Sequence, residues 1–354
     1  MSRAWLLAGL VALLGALGQP AAAAPPASER PGAAEPAPAQ LTQVRVGTLN
    51  AASDAPFFLA QERGYLREQG LDLETIPFDS AQQMIAPLGA DQLDVGGGGP
   101  GPGLFNAIQR GIAVRIVADR ARAAPGSRFN CLMVRKELLD SGAVRDWADL
   151  RGRVYAEPVP GNVMTYVLER ELRRVGVRPD ELRYTVVPFP EMMVAFGNGI
   201  VDAAYPVEPF NTLGAERGVA ECWQQTADVA PNYQIAMVLY GPGFAEQRAD
   251  TARRFTVAYL RAVRDYYRAF FGDGQGKDEI IDLLTRITSV RDKALLERTA
   301  PTWMDPNGAV NVASLREIQR WYVERGDMAA ETDLDRAVDS TFVDYAVAQL
   351  GPYR

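Results

Sequence analysis

The chain has 354 residues, 47% of them hydrophobic, and a formal net charge of -7. That length implies two domains or lobes, and the negative balance, with no basic aromatic stripe, argues against nucleic-acid binding. There is no histidine, and cysteine occurs only twice. The commonest metal ligand and the commonest general acid–base are therefore absent, and neither a metal nor a cofactor is expected.

Arg3 precedes an apolar run from Trp5 to Leu17, and small residues follow at Ala21 to Ala24. This reads as a cleaved secretory signal over 1–24. The run is shorter than the about 20 apolar residues of a membrane span, and no cysteine lies nearby to carry a lipid. Residues 25–40 are rich in Ala and Pro and read as a disordered leader. From Val44 to about 240, short apolar runs alternate with helical periodicity. Strands are expected at 44–49, 71–78, 93–97, 113–118, 131–135, 153–157, 183–188, 202–206 and 234–240. Helices are expected at 56–69, 80–89, 103–110, 162–175, 191–197 and 209–217. This alternation argues for an α/β fold with parallel pairing. In the 162–175 helix, Met164, Leu168, Leu172 and Val175 share a face, Asn162 suits the N-cap and Gly176 the stop.

After Gly243 the texture turns helical, at 249–271, 277–288, 291–299, 313–325 and 333–349. Phe255, Tyr259, Val263, Tyr266 and Phe270 recur at helical spacing and read as a core stripe. Cys131 and Cys222 could pair in an oxidising compartment or stand as two small buried apolar residues.

Gly96 to Gly99, Gly101 and Gly103 make a glycine-rich run that also fits G-x-G-x-x-G, with Asp119 about 20 residues on. A dinucleotide site is disfavoured there. Pro100 and Pro102 remove N–H groups a pyrophosphate would need, and the run follows the third strand rather than the first. No Lys-Ser/Thr follows it, so it is not a P-loop.

Three segments carry a family resemblance. DAPFFLAQERGYLREQGLDLETIPF at 54–78, DLRGRVYAEPVPGNVMTYVLERELRRVGVRPDELRYTVVPF from Asp149, and MMVAFGNGIVDAAYPVEPF from Met192 occur in order, and VDSTFVDYAVAQLG closes the chain. Together they resemble the solute-binding proteins of the nitrate/sulfonate/taurine/pyrimidine group of ABC importers. The resemblance implies a type II periplasmic-binding-protein fold: two α/β lobes, two crossover segments and a ligand cleft between them. Lobe one would hold 41–120 plus 241–354, and lobe two 121–240 including the crossovers, which would fall near 121–131 and 236–241.

In such a cleft the contacts come from loops at strand carboxyl ends and helix N-termini. The first loop offers Asn50, Ser53 and Asp54, with Phe57 just beyond; Asp54 can instead cap the following helix, with Pro56 at its first position. The second offers Gly98 and Gly99, which let a ligand approach the backbone. This chain has only glycine where the family carries a hydroxyl. The third offers Gly161 and Asn162 at a helix start, where a plain N-cap is the alternative. The fourth offers Tyr205 and Glu208; Glu208 would receive a ligand donor or hold the hinge. Asn130 and Tyr233 are crossover candidates, with Phe129 and Asn232 weaker. Arg120, Arg122 and Arg128 cluster at the first crossover and could clamp an acid or be solvated surface groups.

The expected function is capture of a small solute in the cleft, lobe closure by a hinge motion, and delivery to an inner-membrane permease. The protein would be a periplasmic monomer with no covalent chemistry. The ligand suggested by Phe57, Tyr205 and Tyr233 is a neutral or weakly charged organic, aromatic or heterocyclic, with a sulfonate or nitrate-type anion as the alternative. Enzymes occur on this scaffold, but they rely on histidine, or on cysteine assisted by it. A sensory module would need a membrane span or signalling domain that does not appear.

Overall fold

The computed structural model describes residues 41–354 apart from Ser289. The signal expected at 1–24 and the leader at 25–40 lie outside the described residues. Ten strands form two five-stranded sheets. In chain order they are β1 Thr42–Thr48, β2 Leu71–Pro77, β3 Val95–Gly98, β4 Arg115–Ala123, β5 Cys131–Arg135, β6 Val154–Glu157, β7 Arg183–Val186, β8 Ala203–Ala204, β9 Ala220–Gln225 and β10 Tyr233–Tyr240.

The helices of the first half are α1 Ala55–Glu62, α2 Tyr65–Glu68, α3 Ala81–Gly89, α4 Pro102–Gln109, α5 Lys136–Asp140, α6 Val163–Arg174, α7 Phe189–Gly197, α8 Phe210–Glu216 and α9 Thr226–Val229. After β10 come α10 Ala249–Phe271, α11 Lys277–Ile287, α12 Lys293–Arg298, α13 Val312–Arg325, α14 Leu334–Ala337 and α15 Thr341–Leu350.

The first sheet has the order β2-β1-β3-β10-β4 and the second β7-β6-β8-β5-β9. Both follow one plan: three parallel strands in βα succession, then one antiparallel strand, then the last. In each sheet the antiparallel strand is the first after the chain crosses from the other sheet: β5 on entry into the second, β10 on return to the first. The chain passes between sheets at 124–130 and at 226–232, so β10 belongs wholly to the first sheet. That places the return a few residues before the 236–241 expected from the resemblance.

Local chemistry explains the breaks. The expected 56–69 helix divides at Gly64, whose φ of +74° suits glycine. The expected 333–349 helix divides where Val338 bridges Ile116 of β4. Asn162 does cap α6, its Oδ1 accepting from Met164 N at 2.9 Å, and Gly176 ends that helix with φ +71°.

The stripe on α10 is core: Phe255, Tyr259, Val263 and Tyr266 are buried against β1, β3 and α1. A second core fills the space around α4, α6 and α13, and a third lies under α7. Cys131 of β5 and Cys222 of β9 are joined as a disulfide across adjacent strands, their Cα atoms 5.8 Å apart.

Candidate functional site

The carboxyl ends of β1, β3 and β4 share one edge of the first sheet, the edge where the resemblance implies the first lobe's side of a cleft. In the β1–α1 loop Asn50 is exposed, with φ +52°, and Ser53 is half-buried. Asp54 is completely buried. It makes no side-chain cap on α1. Its Oδ2 instead accepts from Leu49 N and Ala51 N at 3.0 Å each, folding the loop back on itself, and its Oδ1 pairs with the Arg120 guanidinium. Phe57 faces the core, 5.2 Å from Tyr259 and 6.1 Å from Phe255 between ring centroids.

Arg120 stands near the end of β4 and is 1% exposed. It crosses to Gly97 of β3, where a Cβ would sit 3.0 Å from its Cδ and Nη1. Gly97 is therefore glycine because a guanidinium lies over it. Apart from the Asp54 pair, Nε and Nη1 of Arg120 have no hydrogen-bond partner. Arg122 pairs with Asp305 and lies 4.8 Å over the Trp303 ring, while Arg128 is exposed and pairs with Asp228. Of the three crossover arginines, only Arg128 is a surface group.

The glycine run serves packing. A Cβ on Gly98 would meet the Ala81 Cβ at 2.1 Å, and one on Gly99 would stand 3.2 Å from both Val163 Cγ1 and the Ile235 carbonyl. Gly96 and Gly98 are strand residues. Asp119 is buried and accepts from Gln234 Nε2 at 2.6 Å and Asp305 N at 2.7 Å. Burial pushes its carboxyl up to about 7, against the pull of Arg122 and those two donors. The letters of the dinucleotide motif thus belong to a sheet and a buried network.

In the second lobe, Gly161 (φ +70°) and Asn162 lead into α6, whose Val163 packs against the first lobe's Gly99. Asn162 N donates to Glu157, whose carboxyl also takes the Thr165 hydroxyl at 2.7 Å and is pushed up by burial. Tyr205 is buried with its hydroxyl unpartnered. Glu208, held up by burial, accepts from Thr212 N at 3.1 Å, Thr212 Oγ1 at 3.0 Å and Ala300 N at 3.4 Å. Its bonds therefore tie lobe two to the segment after α12. Asn130 is buried, accepting from Thr226 Oγ1 at 2.6 Å, so it joins the two passages. Tyr233 donates to Val163 O at 2.7 Å and stacks on Tyr166 at 5.6 Å.

A brace that sequence reasoning missed crosses the same edge. The Tyr322 hydroxyl on α13 lies 3.1 Å from Pro100 O in lobe one and 2.9 Å from Gly161 O in lobe two, with one proton to share. Next to it, Trp321 Nε1 donates to the buried Glu169 of α6 at 2.8 Å, and Arg325 pairs with the other Glu169 oxygen at 2.5 Å. The fold therefore brings Asp54 together with Arg120, and Gly99 together with Val163, the residue after Asn162. Phe57 and Asn130 lie in packing positions. A shallow surface hollow of ≈ 240 Å³ between α6 and α13 is lined by Arg170, Arg173 and Arg320, apart from these loops.

The arrangement has the type II periplasmic-binding-protein fold, and structural comparison agrees. The alkanesulfonate-binding protein SsuA from Xanthomonas axonopodis pv. citri, bound to MOPS, is 18% identical with a TM-score of 0.67, covering 86% of this chain and 100% of that one. The periplasmic nitrate-binding protein NrtA from Synechocystis PCC 6803 is 15% identical with a TM-score of 0.69, covering 88% and 90%. The desulfurization enzyme DSZB shares the fold too, at 15% identity and a TM-score of 0.61, covering 87% and 99%. No curated protein matches the chain. A family model described as NMT1/THI5 like matches residues 52–269, more than half of the chain, which belongs to that family.

Proposed function

We propose that this protein is the substrate-binding component of an ABC import system: a periplasmic monomer, without cofactor and without affinity for nucleic acid, that closes on a small organic solute and presents it to an inner-membrane permease. The observation that carries the reading is the pair of matching sheets, joined by two passages, with loops from both converging on one edge. That geometry suits reversible enclosure, since short passages can flex while each sheet moves as a body. The site residues we assign are Asn50, Ser53, Asp54, Gly98, Gly99, Gly161, Asn162, Tyr205, Glu208 and Tyr233, with Arg120 added. Among the described residues no helix is long and apolar enough to cross a membrane.

An enzymatic reading is favoured by the fold shared with DSZB, and the side chains oppose it. The chain lacks histidine, and its two cysteines are bonded to each other. A thermal-unfolding screen against pyrimidines, flavins, aromatic acids, sulfonates and nitrate tests the proposal. A ligand at 100 times its Kd adds about 2.7 kcal/mol, and recovery of that ligand unchanged is the expected result. Conversion of the ligand to product would overturn the binding-protein reading.

A further inference from the structure

We infer that Arg120 recognises the ligand, and that its ion pair with Asp54 selects an uncharged carbonyl-bearing head group, such as an amide, imide or ureide, over an oxyanion. The inference rests on the binding-protein reading above and names the substrate class of that same cleft.

Buried polar groups in folded proteins are almost always satisfied. Arg120 is 1% exposed, yet two of its nitrogens, Nε and Nη1, donate to nothing within the protein. The side chain is held in place. Gly97 leaves room beneath it, Phe57 lies 5.9 Å from its Cζ, and Asp54 pairs with Nη2. These partners stand at the carboxyl ends of β1, β3 and β4, the sheet edge where open α/β folds take ligands. The nearby Tyr259 hydroxyl is committed to Asp119 O at 3.0 Å and does not serve the guanidinium. Donors positioned and unfilled at that edge call for acceptor oxygens from outside the chain.

The charge of the pair decides which oxygens. Asp54 is completely buried, and both its oxygens are engaged, one by Arg120 and one by two backbone N–H groups. The guanidinium charge is therefore already balanced. A sulfonate or nitrate entering beside it would add a second buried negative charge near the carboxylate. A neutral carbonyl accepts the same N–H bonds without that repulsion.

The test measures binding of uracil, hydantoin and nicotinamide, and separately of ethanesulfonate, nitrate and benzoate, to the full chain by calorimetry. Wild type is expected to bind at least one neutral compound and to favour it over the anions by about tenfold or more. Asp54→Asn combined with Arg120→Gln removes both charges together; it should lose about tenfold or more in that affinity while its circular dichroism is unchanged. Asp54→Asn alone frees the guanidinium charge and should raise oxyanion affinity. Tightest wild-type binding to an oxyanion, or undiminished binding by the double variant, overturns the inference and leaves the binding-protein reading standing. Should the double variant not fold, the single variant decides: no gain for anions overturns the inference. Silence of wild type towards both sets overturns the inference together with the function it rests on.

Discussion

Replacing Glu169 by Gln tests whether α13 braces the two lobes. Glu169 lies on α6 and is 1% exposed. Trp321 Nε1 donates to one oxygen at 2.8 Å, Arg325 to the other at 2.5 Å, and the Tyr184 hydroxyl approaches at 3.3 Å. An amide keeps one acceptor and turns an NH2 group towards one of these donors. Hydrogen bonds to a charged group contribute about 1.5–3 kcal/mol. Arg325 remains 27% exposed and recovers part of its hydration from water, so a loss of about 2 kcal/mol is expected. For a chain of this size that corresponds to ~3–4 °C in Tm. The control is Glu324→Gln, which removes the half-exposed pair between Arg173 and Glu324 in the same helix contact; exposed pairs contribute about 0–1 kcal/mol. Calorimetry gives both shifts, and hydrogen exchange at the Gly161 loop reports the brace itself. If Glu169→Gln melts with wild type, or both variants shift equally, Glu169 does not brace the lobes.

Three further outcomes follow from local geometry. Asn162→Ala removes the α6 cap at Met164 N and should destabilise by about 1 kcal/mol in chemical denaturation; no change would mean that water replaces the cap. Gly97→Ala puts a Cβ 3.0 Å from the Arg120 Nη1 and should destabilise by about 1–3 kcal/mol by displacing the guanidinium from Asp54; a variant as stable as wild type would show that Arg120 moves freely. Asp119 is held near 7 in the folded chain, against an ordinary 3.8. The unfolded chain therefore releases that proton first as pH rises. Wild type loses stability between about pH 4 and 7, by up to ~4 kcal/mol, and the penalty stays above that window. Asp119→Asn lacks this slope, so the stability of wild type minus that of the variant should fall across the window; a flat difference rejects the shift.

The strands and helices visible in the sequence are those whose signal is local. Alternation and apolar runs identify β1 to β8 and β10, and the N-cap and stop of α6 lie one and two residues from its ends. β9 escaped because Ala220–Gln225 reads as polar: its pairing with β5, Cys131 opposite Gln225, is antiparallel and set from 94 residues away by position (225 − 131). β4 is the sharper case. Its RIVADRARA run looks half-solvated, yet seven of its nine residues are buried. Asp119 is covered by the Asp305 backbone, Arg122 finds Asp305 183 positions on, and Arg120 finds Asp54 66 positions back. A charged residue in a strand reads as surface when only its sequence neighbours are in view, because what compensates it is elsewhere in the chain. Phe57 shows the converse: an aromatic beside a cleft loop reads as a stacking platform until α10 is seen to cover it. The charge preference we infer is likewise a property of a pair. Asp54 alone suggests a cationic ligand and Arg120 alone an anionic one. Only their contact, with two arginine donors left over, makes an uncharged acceptor the complementary partner.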